Sequence, residues 1–428
     1  MLQAELFCDK IEFGKNVISK CVAKGEVHMK IPFSPPDIGK DEIKLVTEVL
    51  ESGWITTGPK TKELEKKIGE YCHTGQAVCL SSQTACAEMT LRVFRVGPGD
   101  EVILPAYTYT ATASIVYHVG ATPVMIDCKP GSFEMDYDKM EAAINERTKV
   151  IIPVDLAGVV CDYDRIYEAV RRKRDIFRPN GKIQELLGRV IVMADAAHAF
   201  GAQWHGQMCG EIADFTNFSF HAVKNMTTAE GGATVHRLRS RIDEEKMYKQ
   251  YMLWSLHGQT KDAFSKNNGA SWEYDVVDAQ YKCNMPDVLA AIGLAQFNRY
   301  DEMLNRRHAL IRYYNEEFKN LDIQVLNHAD EDHRSSGHLY FVRFNGKDSD
   351  FRNEFYNKMA ENGVMCNVHF KPLPLLTAYK NKGFDIADFP EAYNMHKNQL
   401  TLPMNSVITD AEAEYVVETF KKVYDELH

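Results

Sequence analysis

At 428 residues, with 45% hydrophobic and 26% charged side chains, the chain has enough apolar material for one large globular domain plus a smaller one. A formal net charge of −10 excludes the basic footprint that nucleic acid or an anionic membrane surface requires, while leaving room for a local cationic pocket. No apolar run of about 18 residues suggests a membrane span, and ten cysteines without a C-x-x-C pair read as reduced packing residues of a cytoplasmic protein.

Residues 1–30 mix charges with only a weak pattern and read as an amino-terminal arm; acidic residues and the lack of an apolar segment argue against a signal peptide. Ile31-Pro32-Phe33-Ser34-Pro35-Pro36 is extended, because two consecutive prolines forbid a helix. A helix is expected over Asp41–Leu50, with Ile43, Val46, Val49 and Leu50 on one face and Gly53 closing it. Trp54-Ile55-Thr56-Thr57-Gly58-Pro59 follows as a turn-rich loop, either structural or covering a ligand. From Ala77 the pattern alternates strand and helix. Ala77–Leu80 is a strand, Ser81-Ser82-Gln83-Thr84 a polar turn, and Ala85–Val96 a helix whose first N–H groups form either an anion site or a plain capped terminus. Glu101–Leu104 is the next strand, and Pro105–Thr110 opens a helix, with Tyr109 at the corner where an aromatic can stack on a planar ring. Strands over Thr122–Ile126 and Val150–Leu156 and a helix over Tyr163–Arg172 continue the alternation. Residues 171–189 are strongly basic; the segment reads as a solvated surface excursion, with phosphate binding as the alternative.

Val190–Ala194 is an apolar run suited to a buried parallel strand, and it ends in Asp195-Ala196-Ala197-His198. Open α/β sheets place ligand-binding groups at the carboxyl ends of their strands, although an Asp there can also simply cap a helix. Downstream, Asn217 to Ala233 begins with the period-2 alternation of a half-buried strand and ends in Gly231-Gly232; Lys224 lies between strand and turn. Alone, such a lysine is usually a solvated loop residue. Taken with Asp195 it is one half of the pairing that a pyridoxal phosphate (PLP) enzyme needs: an Asp that keeps the pyridine nitrogen protonated and a Lys that carries the cofactor as an imine.

Met285–Leu304 is helical, and the last third changes character: a strand over His338–Phe344, a helix over Phe351–Asn362 ending at Gly363, a strand over Val364–Phe370, and a final helix opened by the capping box Thr409-Asp410-Ala411-Glu412. The expected class is α/β: a large domain over 31–300 with a mostly parallel sheet flanked by helices, and a small carboxyl-terminal α/β domain over 301–428. No nucleotide-binding G-x-x-x-x-G-K-[ST] or G-x-G-x-x-G motif follows any strand.

Five separated pieces agree, in order, with one known group: I-P-F-S-P-P-D-I-G-K with G-W-I-T-T-G-P, then S-S-Q-T-A, D-A-A-H-A-F-G-A, F-S-F-H-A-V-K-N and C-N-M-P-D-V-L-A-A-I-G-L-A-Q. From about Ile31 onward the chain resembles the DegT/StrS-type nucleotide-sugar aminotransferases, among the fold-type-I PLP enzymes. The resemblance makes Lys224 the imine-forming lysine and Asp195 the partner of the pyridine nitrogen. It puts His198 near the ring hydroxyl, Tyr109 against the ring, and Gln83, Thr84 and Ser219 at the phosphate. It also implies a homodimer with shared active sites, in which Asn284 reaches the phosphate of the neighbouring subunit. Trp54, Thr57 and His369 fall where the family approaches the sugar, or are structural.

The same resemblance implies an amino acid donor such as L-glutamate, PLP cycling with pyridoxamine phosphate (PMP), and a keto group on a nucleotide-linked sugar as acceptor. The product would be an amino sugar for surface polysaccharide or secondary-metabolite synthesis. The alternatives are sugar dehydration, in which the family replaces the lysine by histidine, and a non-catalytic PLP-binding regulator. Three departures bear on substrate preference: Gln83 where a small residue is usual, Asp155 where many members have His, and the lengthened 171–189 connection.

Overall fold

Seven short strands make the central sheet: β1 (Val78–Leu80), β2 (Glu101–Pro105), β3 (Thr122–Ile126), β4 (Thr148–Ile151), β5 (Ile191–Asp195), β6 (Phe215–Ser219) and β7 (Gly232–His236). The computed structural model describes residues 21–23, 26–238, 241–261 and 273–428. The strands lie in the order β1-β7-β6-β5-β4-β2-β3. All run parallel except β7, which is antiparallel to both neighbours. The apolar runs are buried on both faces. In β5, Val192 and Ala194 join one hydrophobic cluster while Ile191 and Met193 join another, the period-2 alternation of a sheet covered on both sides. After β3 the chain returns across β2 to form β4, so the order reverses there. The carboxyl ends of β2, β4 and β5 open onto that crevice.

Helices α1 (Lys40–Glu51), α2 (Pro59–Tyr71), α3 (Gln83–Val93), α4 (Thr110–His118), α5 (Asp287–Phe297) and α6 (Tyr300–Phe318) follow in chain order. The single helix expected over Met285–Leu304 is two, α5 and α6, broken at Asn298-Arg299. Helix α6 joins two cores: Tyr300, Met303 and Leu304 pack against the large sheet, whereas Leu310, Ile311, Tyr314 and Phe318 pack against a smaller one. That smaller sheet has the order β8-β9-β10, from Ile323–Val325, Tyr340–Phe344 and Gln399–Leu402, all antiparallel. It is covered by α7 (Ser349–Glu361) and by α8 (Asp410–Leu427), which opens with the expected capping box at Thr409 and Glu412. Strand β9 stitches the cores together, with Tyr340 and Val342 in the small one and Phe341 in the large one.

Other local expectations need correcting too: Pro105 ends β2 and the helix starts only at Thr110, and the strand expected over Val150–Leu156 ends at Ile151. The segment Val364–Phe370 is not a strand: it makes only single bridges, from Val364 to Ile31 and from Asn367 to Thr401. In α1 the expected apolar face is not the buried one. Val49 is buried but Ile43 and Leu50 are 62% and 57% exposed, and the inward position is taken by Glu42, whose carboxylate meets Arg299 at 2.7 Å and Gln296 at 3.0 Å. A charge-assisted contact to the junction of α5 and α6 outweighs the apolar pattern there. The 171–189 segment is only partly a solvated excursion, since Phe177, Gln184 and Leu187 are buried and Gln184 Nε2 donates to the Phe94 carbonyl at 2.7 Å. Among the described residues no helix is long and apolar enough to cross a membrane.

Candidate active site

A cavity of about 360 Å³ lies at the carboxyl ends of β2, β4, β5 and β6. Its floor and walls include Gln83, Thr84, Thr108, Tyr109, Asp155, Asp195, His198, Ser219 and Lys224. The last third of the chain adds His338, His369 and Phe370, and Phe33 and Ser34 come from the extended amino-terminal segment. Eight of the eleven residues singled out in the sequence are thus brought together.

Asp195 ends β5, one strand from Asn217 in register. It is buried, which pushes its carboxyl above the ordinary value; the Thr112 hydroxyl, the Ala197 N–H and the charge of Lys224 oppose that rise. Oδ2 accepts from Thr112 Oγ1 at 2.7 Å, and Oδ1 only from the Ala197 N–H at 3.3 Å.

Lys224 lies beyond the end of β6, in a turn rather than on the strand. The turn is closed by Phe220 N–H to the Gly231 carbonyl and by Thr228 N–H to the Phe220 carbonyl, both at 2.9 Å, and Lys224 N–H reaches the His221 carbonyl at 2.9 Å. The side chain faces the cavity. Burial lowers its ammonium to about 8 against the opposing pull of Asp195. A free amine is therefore accessible near neutral pH, as imine chemistry requires.

The hydrogen bonds of His198 fix its tautomer. Its Nδ1 accepts the Ala157 N–H at 3.1 Å, so the ring proton sits on Nε2. His338 has the opposite arrangement. Asn225 donates its amide to the Ser336 carbonyl at 2.8 Å, which turns its oxygen toward His338 Nδ1 at 2.8 Å and leaves His338 Nε2 as an acceptor. The two rings lie 4.3 Å apart. Burial and the neighbouring positive charge of Lys224 hold both well below the ordinary histidine range, and the same causes bring His369 down to about 4.

At the other end of the cavity Ser82 caps α3, accepting the Ala85 N–H at 3.0 Å, and Gln83 and Thr84 occupy the first helical turn, where backbone N–H groups have no intrahelical partner. Strand β7 starts against this turn so closely that a Cβ on Gly232 would lie 2.4 Å from the Gln83 nitrogen. Only glycine fits there. Ser219 ends β6 on the same cavity wall.

Trp54, Thr57 and Asn284 are elsewhere in the chain. Asn284 Nδ2 donates to Thr57 Oγ1 at 2.6 Å, Thr57 Oγ1 donates to the Met285 carbonyl at 2.6 Å, and Trp54 Nε1 to the Thr57 carbonyl at 3.2 Å. None of the three lines the Lys224 cavity of its own chain. Sequence reasoning missed Thr108, Thr112 and His338. The threonines sit in the T-Y-T-A-T run around Tyr109, where a hydroxyl one turn along the helix was the available signal. His338 had only its place at the start of an expected strand.

The model of the DegT/DnrJ/EryC1/StrS aminotransferase family matches residues 36–421. The chain belongs to this family. Spr1654 of Streptococcus pneumoniae, solved in a PMP form, is 52% identical with a TM-score of 0.90, covering 93% of this chain and 98% of that one. Its PLP form is 51% identical at the same TM-score, covering 93% of this chain and 100% of that one. The spore coat polysaccharide biosynthesis protein SpsC of Bacillus subtilis is 35% identical over 397 residues, 92% of this chain and 97% of its own. The fold extends to PseC of Helicobacter pylori, 24% identical with a TM-score of 0.79, covering 93% of this chain and 100% of that one.

The family is PLP-dependent, and the cavity of this member suits that group. A lysine with lowered affinity for its proton, a buried carboxylate with an under-used oxygen, a cavity-lining imidazole with its proton on Nε2 and a helix start lined by free N–H groups together match an aldehyde, a pyridine nitrogen, a ring hydroxyl and a phosphate.

Proposed function

We propose that this family member transfers an amino group from an amino acid donor, L-glutamate, to the keto group of a nucleotide-linked sugar, giving an amino sugar for surface polysaccharide or secondary-metabolite synthesis. The observation that carries the reading is Lys224, its ammonium lowered to about 8, across one cavity from the buried Asp195. The sugar assignment is supported by the family and by the polysaccharide role in the name of SpsC.

Bound in the cavity, PLP supplies an electron sink that makes the carbon–hydrogen bond next to the donor nitrogen acidic. Lys224 Nζ takes that proton in the first half-reaction and delivers one to the former keto carbon in the second, acting as base and then as acid. Asp195, whose Oδ1 has only one long contact, would hold the ring nitrogen in its protonated form and stabilise its positive charge. His198, with its proton on Nε2, would hold the ring hydroxyl, and Tyr109 would pack against the ring. The start of α3, with Gln83, Thr84 and Ser219, would hold the phosphate. His369 lies on the small-domain side, where the sugar enters.

Trp54, Thr57 and Asn284 act on the cavity of a second copy in a homodimer. Apolar side chains support that surface: Ile38, Ile43, Leu50 and Ile55 are each close to half exposed or more. The eight cysteines from Cys72 to Cys366 are free, which suits a reducing, cytoplasmic setting.

The deciding experiment is the visible absorption spectrum of the purified protein before and after L-glutamate. A yellow protein that bleaches to the PMP form supports cofactor and donor together. One that stays yellow with L-glutamate, with other amino acids and with keto sugars is a binding protein, and the transfer reading fails.

A further inference from the structure

Asp195 is buried, and Lys224 is the cationic group that acts on it through space, without a direct ion pair. Its ionised form therefore depends on donated hydrogen bonds. The strongest comes from Thr112, 2.7 Å from Oδ2, and Thr112 Oγ1 lies 2.8 Å from Thr108 Oγ1. Both threonines are almost fully buried. Each hydroxyl has a single proton. A carboxylate can only accept, so Thr112 gives its proton to Asp195 and Thr108 must donate to Thr112. The direction of this relay is thereby set by the charged state of Asp195, and each donor polarises the next.

The same helical turn does a second task. Tyr109 is the residue that precedes α4, its ring lines the cavity, and its carbonyl accepts the Thr112 N–H at 3.2 Å. With Oδ2 taken by Thr112, Oδ1 retains capacity toward the cavity, since its own contact to Ala197 is the longer one.

We propose that Thr112, backed by Thr108, is the positioning residue that orients Asp195 as a cavity-facing carboxylate and couples it to the turn bearing Tyr109. The inference rests on the reading of Asp195 as the partner of the ring nitrogen.

The test titrates the cofactor-free protein with PLP and records the visible circular dichroism of the bound cofactor for wild type, Thr112→Val, Thr112→Ser, Thr108→Val and Asp195→Asn. Thr112→Val keeps the shape and removes the donor. It is expected to weaken PLP binding about tenfold and to change the circular dichroism band in the direction of Asp195→Asn. Thr112→Ser restores both, and Thr108→Val shows a smaller loss. Should Thr112→Val not fold, the contrast of Thr112→Ala with Thr112→Ser carries the same comparison. If removing the hydroxyl leaves affinity and band within about twofold of wild type while Asp195→Asn alters both, the relay is overturned and the role of Asp195 stands. If Asp195→Asn is equally silent, that role falls with it.

Discussion

Two polar clusters in this molecule are about equally buried and differ in what they leave unspent. Around Asp195, Oδ2 is taken by Thr112 while Oδ1 has a single long contact, His198 Nε2 and His338 Nε2 remain after their Nδ1 atoms are engaged, and Lys224 faces the cavity. Around Asn284 the capacity is used within the chain. Asn284 meets Thr57, Thr57 meets Met285, and the Asp287 carboxylate takes the N–H groups of Gly58, Lys60 and Thr61 at 2.8, 3.1 and 2.9 Å. Burial by itself does not mark a reacting group. Hydrogen-bonding capacity left facing a cavity does, and by that measure the described residues hold one reacting centre and one braced loop.

The contrast breaks most visibly at Lys224. Lys224→Ala is expected to lower turnover by at least about 10³-fold in a single-turnover assay with L-glutamate, because acid, base and imine-forming roles go together; a near-normal rate would sink the assignment. Asp195→Asn keeps the shape but not the charge and should cost about 10²-fold in kcat.

A pH series sharpens the same side. The reactive form of Lys224 is the neutral amine, and burial lowers its ammonium to about 8. Capture of PLP by the cofactor-free protein should therefore fall about tenfold for each pH unit below 8 and level off above it. An ordinary lysine would go on rising toward about 10.4, so a rise continuing past pH 9 would show that the site does not depress it.

The braced cluster yields the smallest effect. Asn284→Asp places a carboxylate where the dimer reading expects a phosphate and should weaken PLP about tenfold. Mixing it with inactive Lys224→Ala subunits should restore up to about a quarter of the wild-type activity, since half the random dimers would be hybrids with one intact site. Activity that does not exceed the sum of the separate variants after subunit exchange would place Asn284 outside a shared site.

Much of the reacting centre was legible because strand periodicity and residue type meet at strand ends. Val190–Ala194 announced a buried strand, and Asp195 followed it; Gly231-Gly232 announced a close turn after Lys224. The α1 face was misread because a part-buried Glu42–Arg299 pair joins residues far apart in sequence, and no local pattern carries that partner. Val364–Phe370 has the composition of a strand, yet its neighbours offer it only isolated bridges.

The sequence by itself determined the alternating α/β order, the strand that ends in Asp195, the lysine turn and the cap of α8, since each depends on neighbours within a few residues. Only the tertiary structure decided which atoms are free to act. The Ala157 N–H selects the His198 tautomer, Asn225 selects that of His338, and Thr112 reaches the strand-end Asp195 from helix α4. Such choices are made by hydrogen-bond partners brought together by the sheet, and a proton's position depends on the partner that accepts it.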